Sequence, residues 1–240
     1  MPTFQYDLID GHIIIREGAV AYLIDTGAPL SVGKGRVLAF AGEEFEVQNN
    51  YMGVTPQELS RHIGANIDAL VGADILNNFN LLIDPRSSEI FLLEGKIALS
   101  GIELGVDYFM GIPIIQAEVN GRAIRMFFDT GAKLSYLDPE ITKNCPTLGT
   151  AHDFYPGVGR FETRTFRVPV TLGNEEIDLT VGILPELLQL TLMMADTSGI
   201  LGTGILSDFA IELDPHRRRL VLEKYDRKAS GSFPGLPRVS

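Results

Sequence analysis

The chain has 240 residues, 45% hydrophobic and 21% charged, enough to fill one large core or two small ones. A formal net charge of −11 disfavours nucleic acid and anionic membrane surfaces as partners, and no apolar run approaches the roughly 18 residues of a spanning helix. The one cysteine, Cys145, excludes an intrachain disulfide and fits a reducing, cytoplasmic setting, while four scattered histidines and no cysteine pair suggest neither a metal nor a cofactor.

Met1-Pro2-Thr3-Phe4 opens the chain without a basic-then-apolar leader pattern. His12–Arg16 and Ala19–Ile24 predict a hairpin turning at Glu17-Gly18 and running into Asp25. A second hairpin is expected over 37–47 around Ala41-Gly42. Thr55-Pro56-Gln57-Glu58 is a capping box with proline at the first helical position, so a short helix should run to His62 and stop at Gly64. Ile67–Val71 predicts a strand into Gly72, with a helical turn over 74–78. Leu81–Ile83 and Glu89–Leu93 should pair around Asp84-Pro85-Arg86-Ser87. Residues 95–108, with three glycines, read as a connection between halves.

The second half begins with Ile112–Val119 and Ala123–Phe128 around Asn120-Gly121, whose residue types suit two positive φ angles. That hairpin leads to Asp129. Asp138-Pro139 should cap a short helix to about Asn144. Arg164–Leu172 and Glu176–Ile183 predict strands around Gly173-Asn174, followed by a helical turn over 184–190. Arg217-Arg218-Arg219 reads as a solvated turn between strands. The segment from Lys228 to Ser240, rich in Ser, Gly and Pro, is expected to be disordered. Gly33-Lys34-Gly35 and Gly157-Val158-Gly159 do not complete a phosphate-binding fingerprint.

One stretch occurs twice. Leu23-Ile24-Asp25-Thr26-Gly27-Ala28 and Phe127-Phe128-Asp129-Thr130-Gly131-Ala132 share two apolar residues, Asp-Thr-Gly-Ala, and Leu-Ser at the same distance beyond. Each has a companion: Leu70-Val71-Gly72 followed by Ile75-Leu76 and Phe79, and Ile200-Leu201-Gly202 followed by Ile205-Leu206 and Phe209. Both companions run on to Asp-Pro. The Asp copies lie 104 residues apart and the Gly copies 130 apart, so the second half carries 26 extra residues between its landmarks. An internal repeat of this kind points to two structurally similar halves.

These paired motifs resemble the aspartic proteases, retropepsins and pepsins. Ala28 and Ala132, with Ser31 and Ser135, are closer to the retropepsin pattern, as though two subunits were joined in one chain. The resemblance implies an all-β, two-lobed acid-protease fold with a few short helices. The lobes would span 1–97 and 98–227, with 228–240 as a tail. It implies an endopeptidase acting on peptide or protein substrates as a monomer, with Asp25 and Asp129 as the catalytic pair. Two adjoining carboxyls hold one shared proton, giving a base and an acid at one place. Thr26 and Thr130 would lock the two loops together. Gly27 and Gly131 would permit close approach. Ala28 and Ala132 lack the hydroxyl that pepsins carry, which implies a less acidic working pH. Pro29, Leu30, Lys133 and Leu134 depart from the retropepsin pattern, so subsite contacts do not transfer. The extra residues include Tyr155-Pro156-Gly157-Val158-Gly159, read as the tip of a substrate-covering flap in the second half, with no first-half counterpart expected. A non-catalytic peptide-binding protein on the same fold is the alternative.

Overall fold

The computed structural model describes residues 2–93, 95, 98–155 and 158–225. The first half contains β1 (Thr3–Ile9), β2 (His12–Glu17), β3 (Val20–Ile24), β4 (Val32–Gly33), β5 (Val37–Phe40), β6 (Glu43–Glu46), α1 (Pro56–Ile63), β7 (Ala69–Val71), α2 (Ala73–Leu76), β8 (Asn80–Asp84) and β9 (Glu89–Leu93). The second contains β10 (Ile102–Phe109), β11 (Ile112–Val119), β12 (Arg122–Phe128), β13 (Ser135–Leu137), α3 (Pro139–Thr142), β14 (Thr147–Tyr155), β15 (Gly159–Leu172), β16 (Glu175–Gly182), α4 (Glu186–Met194), β17 (Gly199–Leu201), a 3₁₀ turn (Thr203–Ser207), β18 (Phe209–Asp214) and β19 (Arg219–Lys224). Among the described residues no helix is long and apolar enough to cross a membrane. The described residues are mostly strand with a few short helices, an all-β fold.

Local chemistry accounts for most boundaries. Thr55 accepts from the Glu58 amide at 3.3 Å while Glu58 accepts from the Thr55 amide at 3.1 Å, which satisfies two open donors at the start of α1. Gly64 ends that helix at φ 77°. Asn120 and Gly121 both take positive φ, as their hairpin requires. The first hairpin turns one residue later than expected, at Gly18-Ala19, because Glu17 still pairs with Val20. The helix expected over 184–190, α4, is longer than the sequence suggested and reaches Met194.

Register matches between the halves. Tyr22 pairs with Ala69 and Ile24 with Val71 in parallel; Met126 pairs with Gly199 and Phe128 with Leu201 likewise. The halves join in one antiparallel sheet ordered β1, β9, β8, β18, β19, β10. Its centre is the pair Leu82–Glu212, residues equivalent at the 130-residue offset, so a pseudo-twofold axis passes between them. Glu212 is fully buried there and is satisfied by Asn80 at 2.8 Å and by the amides of Ala98 and Leu99 at 2.7 and 2.8 Å. A buried carboxylate needs such donors, and here they fix the segment that joins the halves. That segment is shorter than expected: β10 starts at Ile102. Its three nearby glycines masked the alternation of buried Leu104 and Val106 with exposed Glu103 and Asp107. Gly101 is needed because a Cβ would overlap the Leu222 carbonyl. The expected tail falls outside the described residues.

Candidate active site

Two buried strands deliver the carboxyls. Ile24 at the end of β3 and Phe128 at the end of β12 are each 1% exposed, anchoring the loops that carry the acids. The Asp25 amide donates to the Val71 carbonyl and the Asp129 amide to that of Leu201, both at 3.0 Å. Beyond them the two Asp-Thr-Gly loops interlock. Thr26 Oγ1 donates to the Phe128 carbonyl at 2.8 Å and accepts from the Thr130 amide at 3.0 Å. Thr130 Oγ1 donates to the Ile24 carbonyl at 2.8 Å and accepts from the Thr26 amide at 3.0 Å. All four bonds are buried, so their electrostatic strength is not diluted by water.

The glycines are a steric requirement. A Cβ on Gly27 would overlap the Asp129 carboxyl, and one on Gly131 the Asp25 carboxyl. Each loop therefore passes against the opposite acid. Beneath them, Gly72 lies so close that a Cβ would stand 2.7 Å from the Ala28 carbonyl oxygen, and Gly202 so close that it would stand 2.5 Å from those of Ala132 and Leu134. Ser31 and Ser135 accept from the Gly72 and Gly202 amides at 2.8 and 3.1 Å, tying loop to floor.

Asp25 Oδ1 accepts from the Gly27 and Ala28 amides, each at 2.9 Å, and Asp129 Oδ1 from the Gly131 amide at 2.8 Å. The two carboxyls also hydrogen-bond each other. Burial, and then the charge of Asp129, holds Asp25 well above the usual carboxylate range. Burial likewise raises Asp129, against the pull of the Gly131 amide. Two touching acids that both resist ionisation hold a proton between them at pH values where a free carboxyl has lost its own. Ala28 and Ala132 supply amides but no hydroxyl.

The pair opens on a cavity of about 870 Å³. Its walls come from both halves: Leu23, Val32, Leu59, Ile63 and Leu70 on one side, Phe127, Leu184, Leu188, Leu192 and Ile200 on the other. The β14–β15 hairpin reaches over it, Phe154, Tyr155, Arg160 and Phe161 being part of the lining. Burial first, then the charges of Asp129 and Asp25, push the Tyr155 phenol up. Of the expected flap tip, Val158, like Tyr155 and Phe161, packs against the apolar cluster that includes Phe127 and Leu188, Gly159 begins β15 at φ 85°, and Gly157 lies outside the described residues. The hairpin also touches the opposite half. Phe154 stacks on His62 of α1 with centroids 3.6 Å apart, and Arg160 Nε donates to His62 Nδ1 at 3.4 Å.

The first half has a tip of its own, which the expectation of a single flap missed. Tyr51, Met52 and Val54 line the cavity, and Tyr51 and Val54 close a tight turn with Met52 and Gly53 at positive φ. The signal was in the sequence. Tyr51-Met52-Gly53-Val54 follows Asp25 at the same 26-residue distance at which Tyr155-Pro156-Gly157-Val158 follows Asp129. The difference lies afterwards. The first tip passes directly into α1, whereas β15 and β16 intervene before α4. The Ala41-Gly42 hairpin forms a separate two-stranded sheet and does not line the cavity. Cys145 is also not among the lining residues. The arginine run spans a turn and the first residue of β19, and its guanidiniums pair with Asp214, Asp107 and Glu103 at 2.7, 2.9 and 2.8 Å.

No protein-family model matches the chain, and no curated protein does. Among solved structures it is similar to the solution structure of simian foamy virus (mac) protease, with 12% identity over 38% of this chain and 88% of that one, TM-score 0.29. It is similar to a retropepsin-like aspartic protease from Rickettsia conorii, with 21% identity over 50% of this chain and 89% of that one, TM-score 0.36. These neighbours are retropepsin-like aspartic proteases; at such scores the likeness carries no functional argument of its own.

Proposed function

We propose that the chain is an aspartic endopeptidase that hydrolyses peptide bonds with water activated between Asp25 and Asp129, one chain supplying both acids. The observation that carries this reading is the reciprocal fit of each loop's glycine against the other loop's carboxyl. It leaves two acids in contact at the floor of a cavity large enough for a peptide segment.

In this reading the ionised member takes a proton from water as the oxygen attacks the peptide carbonyl carbon. The protonated member gives its proton to the carbonyl oxygen, forming a tetrahedral diol. Collapse of the diol breaks the C–N bond, with the departing nitrogen receiving a proton from the pair. The threonine lattice keeps the acids in place, so little reorganisation is needed at the moment of reaction. The hairpin bearing Tyr155, with the Tyr51 turn opposite, serves to exclude water and hold the substrate.

The test is to incubate the purified chain with a diverse peptide mixture across roughly pH 3 to 8, the span over which a coupled carboxyl pair titrates. Cleavage that a statine-type inhibitor abolishes supports the proposal. Absence of cleavage at every pH, with the fold verified, overturns it.

A further inference from the structure

The pseudo-symmetry of the cleft is broken at one corner. Each half sends the turn between its first two strands across to the other half: Gly11 lies against Lys133 of the second catalytic loop, and Gly111 against Ala73 and Asn77 of the first half. Asp10-Gly11 and Met110-Gly111 are equivalent turns, each with both residues at positive φ. The strands after these turns begin with His12 and Ile112, which pair identically back to Ile9 and Phe109. On the catalytic loops, Lys133 and Pro29 stand four residues beyond Asp129 and Asp25. All six side chains line the cavity. On one side they are Asp10, His12 and Lys133; on the other, Met110, Ile112 and Pro29.

The polar corner is built and internally connected. Lys133 Nζ lies 3.0 Å from Asp10 and 4.0 Å from Asp153. Asp153, with 7% of its side chain exposed, also accepts from the Tyr136 hydroxyl and from the Phe154 amide. Burial lowers the pKa of the His12 ring, which lies near the Gly131 backbone. Its Nδ1 is buried without a partner among the described residues. A buried ring nitrogen without a partner costs stability until one arrives. Two carboxylates thus face a single ammonium, with the His12 ring beside them. Half of the Asp10 side chain, 49%, remains open to receive a second cation.

We propose that this corner is a subsite for a lysine or arginine side chain of the substrate, with Pro29, Met110 and Ile112 taking an apolar side chain at the equivalent place across the dyad. The cleft then reads a peptide in one direction only. The assignment rests on the cleft being a peptide site. It concerns residues that sequence reading left unassigned, because Asp10 and Lys133 are 123 positions apart.

The experiment uses the full chain carrying Asp25→Asn, so that binding is measured without turnover. The probes are two fluorescent acetylated peptides with the same central Leu–Phe pair, with lysine two places before it in one and two places after it in the other. An all-leucine and a glutamate-bearing peptide complete the set. One lysine isomer is expected to bind about tenfold more tightly than the other, a difference within reach of a charge-assisted pair, and adding Asp10→Asn should cut that ratio at least threefold. Asp10→Glu, which keeps the charge, should retain the preference. Equal binding of the isomers, preference for glutamate, or no binding of any peptide overturns the subsite. Turnover by the unmodified chain separates the two claims. Cleavage without positional preference sinks the subsite alone, and directional binding without cleavage sinks the peptidase reading alone.

Discussion

Thr26→Val should destabilise the chain far more than its one-atom change suggests. Valine matches threonine in shape, so no cavity opens; what is lost is the hydroxyl. Thr26 Oγ1 now satisfies two buried groups, the Phe128 carbonyl at 2.8 Å and the Thr130 amide at 3.0 Å. Both would be left without partners where Thr26 is 1% exposed. An unsatisfied buried backbone group costs about 1–3 kcal/mol, so two cost about 2–6 kcal/mol. For a chain of this size about 2–4 °C of melting temperature is lost per kcal/mol, which places the drop between about 4 and 24 °C. Thr26→Ser keeps both bonds and should lose much less. Activity should fall with Thr26→Val as well, since a displacement of about 1 Å in a reacting group costs about 100-fold. Thermal melts of the three proteins, followed by peptide turnover of those still folded, make the comparison. A valine variant within about 1 kcal/mol of the serine variant would refute the claim that the hydroxyl lattice holds the dyad.

Gly27→Ala should abolish turnover, because its Cβ overlaps the Asp129 carboxyl; a variant with more than about a tenth of the original rate would mean the loops are not in contact as described. Asp25→Asn should stabilise the fold in a pH-dependent way. Burial raises both acids, so the folded chain binds protons more avidly than the unfolded one. The dyad's stabilising contribution is complete below about pH 4 and is lost as pH rises through the raised values. The melting temperature of the variant relative to the original should therefore climb from pH 4 to pH 8, and a constant difference would contradict the shared proton. His62→Ala removes the ring under Phe154 and should lower kcat/KM about two- to tenfold through poorer closure. Burial and then Arg160 and Arg61 lower the His62 pKa against the opposing charge of Glu58. The contact is therefore whole above about pH 6.5 and weakens as pH falls through the lowered value. The ratio of original to variant activity should shrink over that fall; an unchanged ratio would show that His62 does not hold the hairpin.

The parts of the site that were legible in the sequence are local. Two apolar residues before Asp-Thr-Gly dictate a strand ending in a tight loop, and a capping box dictates where α1 starts. The obligation on Gly27 could be expected in kind, though the atom it makes room for belongs to a residue 102 positions away. The missed features have separate physical causes. The strand at 102–109 was obscured by Gly105, tolerated on its exposed face, and by Gly101 just before it. Most of β14 buries neither face, so its residues carry little alternation. The pairing of Leu82 with Glu212 joins the two halves and leaves no local signature beyond an unexplained acid in a hydrophobic strand. The Tyr51 turn was readable from spacing, but Ala41-Gly42 is the better hairpin sequence and the wrong one for the cleft.

The central claim is that Asp25 and Asp129 act as one unit in a single chain. The most direct measurement is the initial rate of hydrolysis of one cleavable peptide by the unmodified chain, by Asp25→Asn and by Asp129→Asn, at matched concentrations and verified fold. Each substitution alone should remove more than about 99% of the rate, because an amide can serve neither as base nor as shared-proton partner. Retention of a substantial rate by either variant, with contaminating proteases excluded, would take that acid out of the mechanism and contradict the claim.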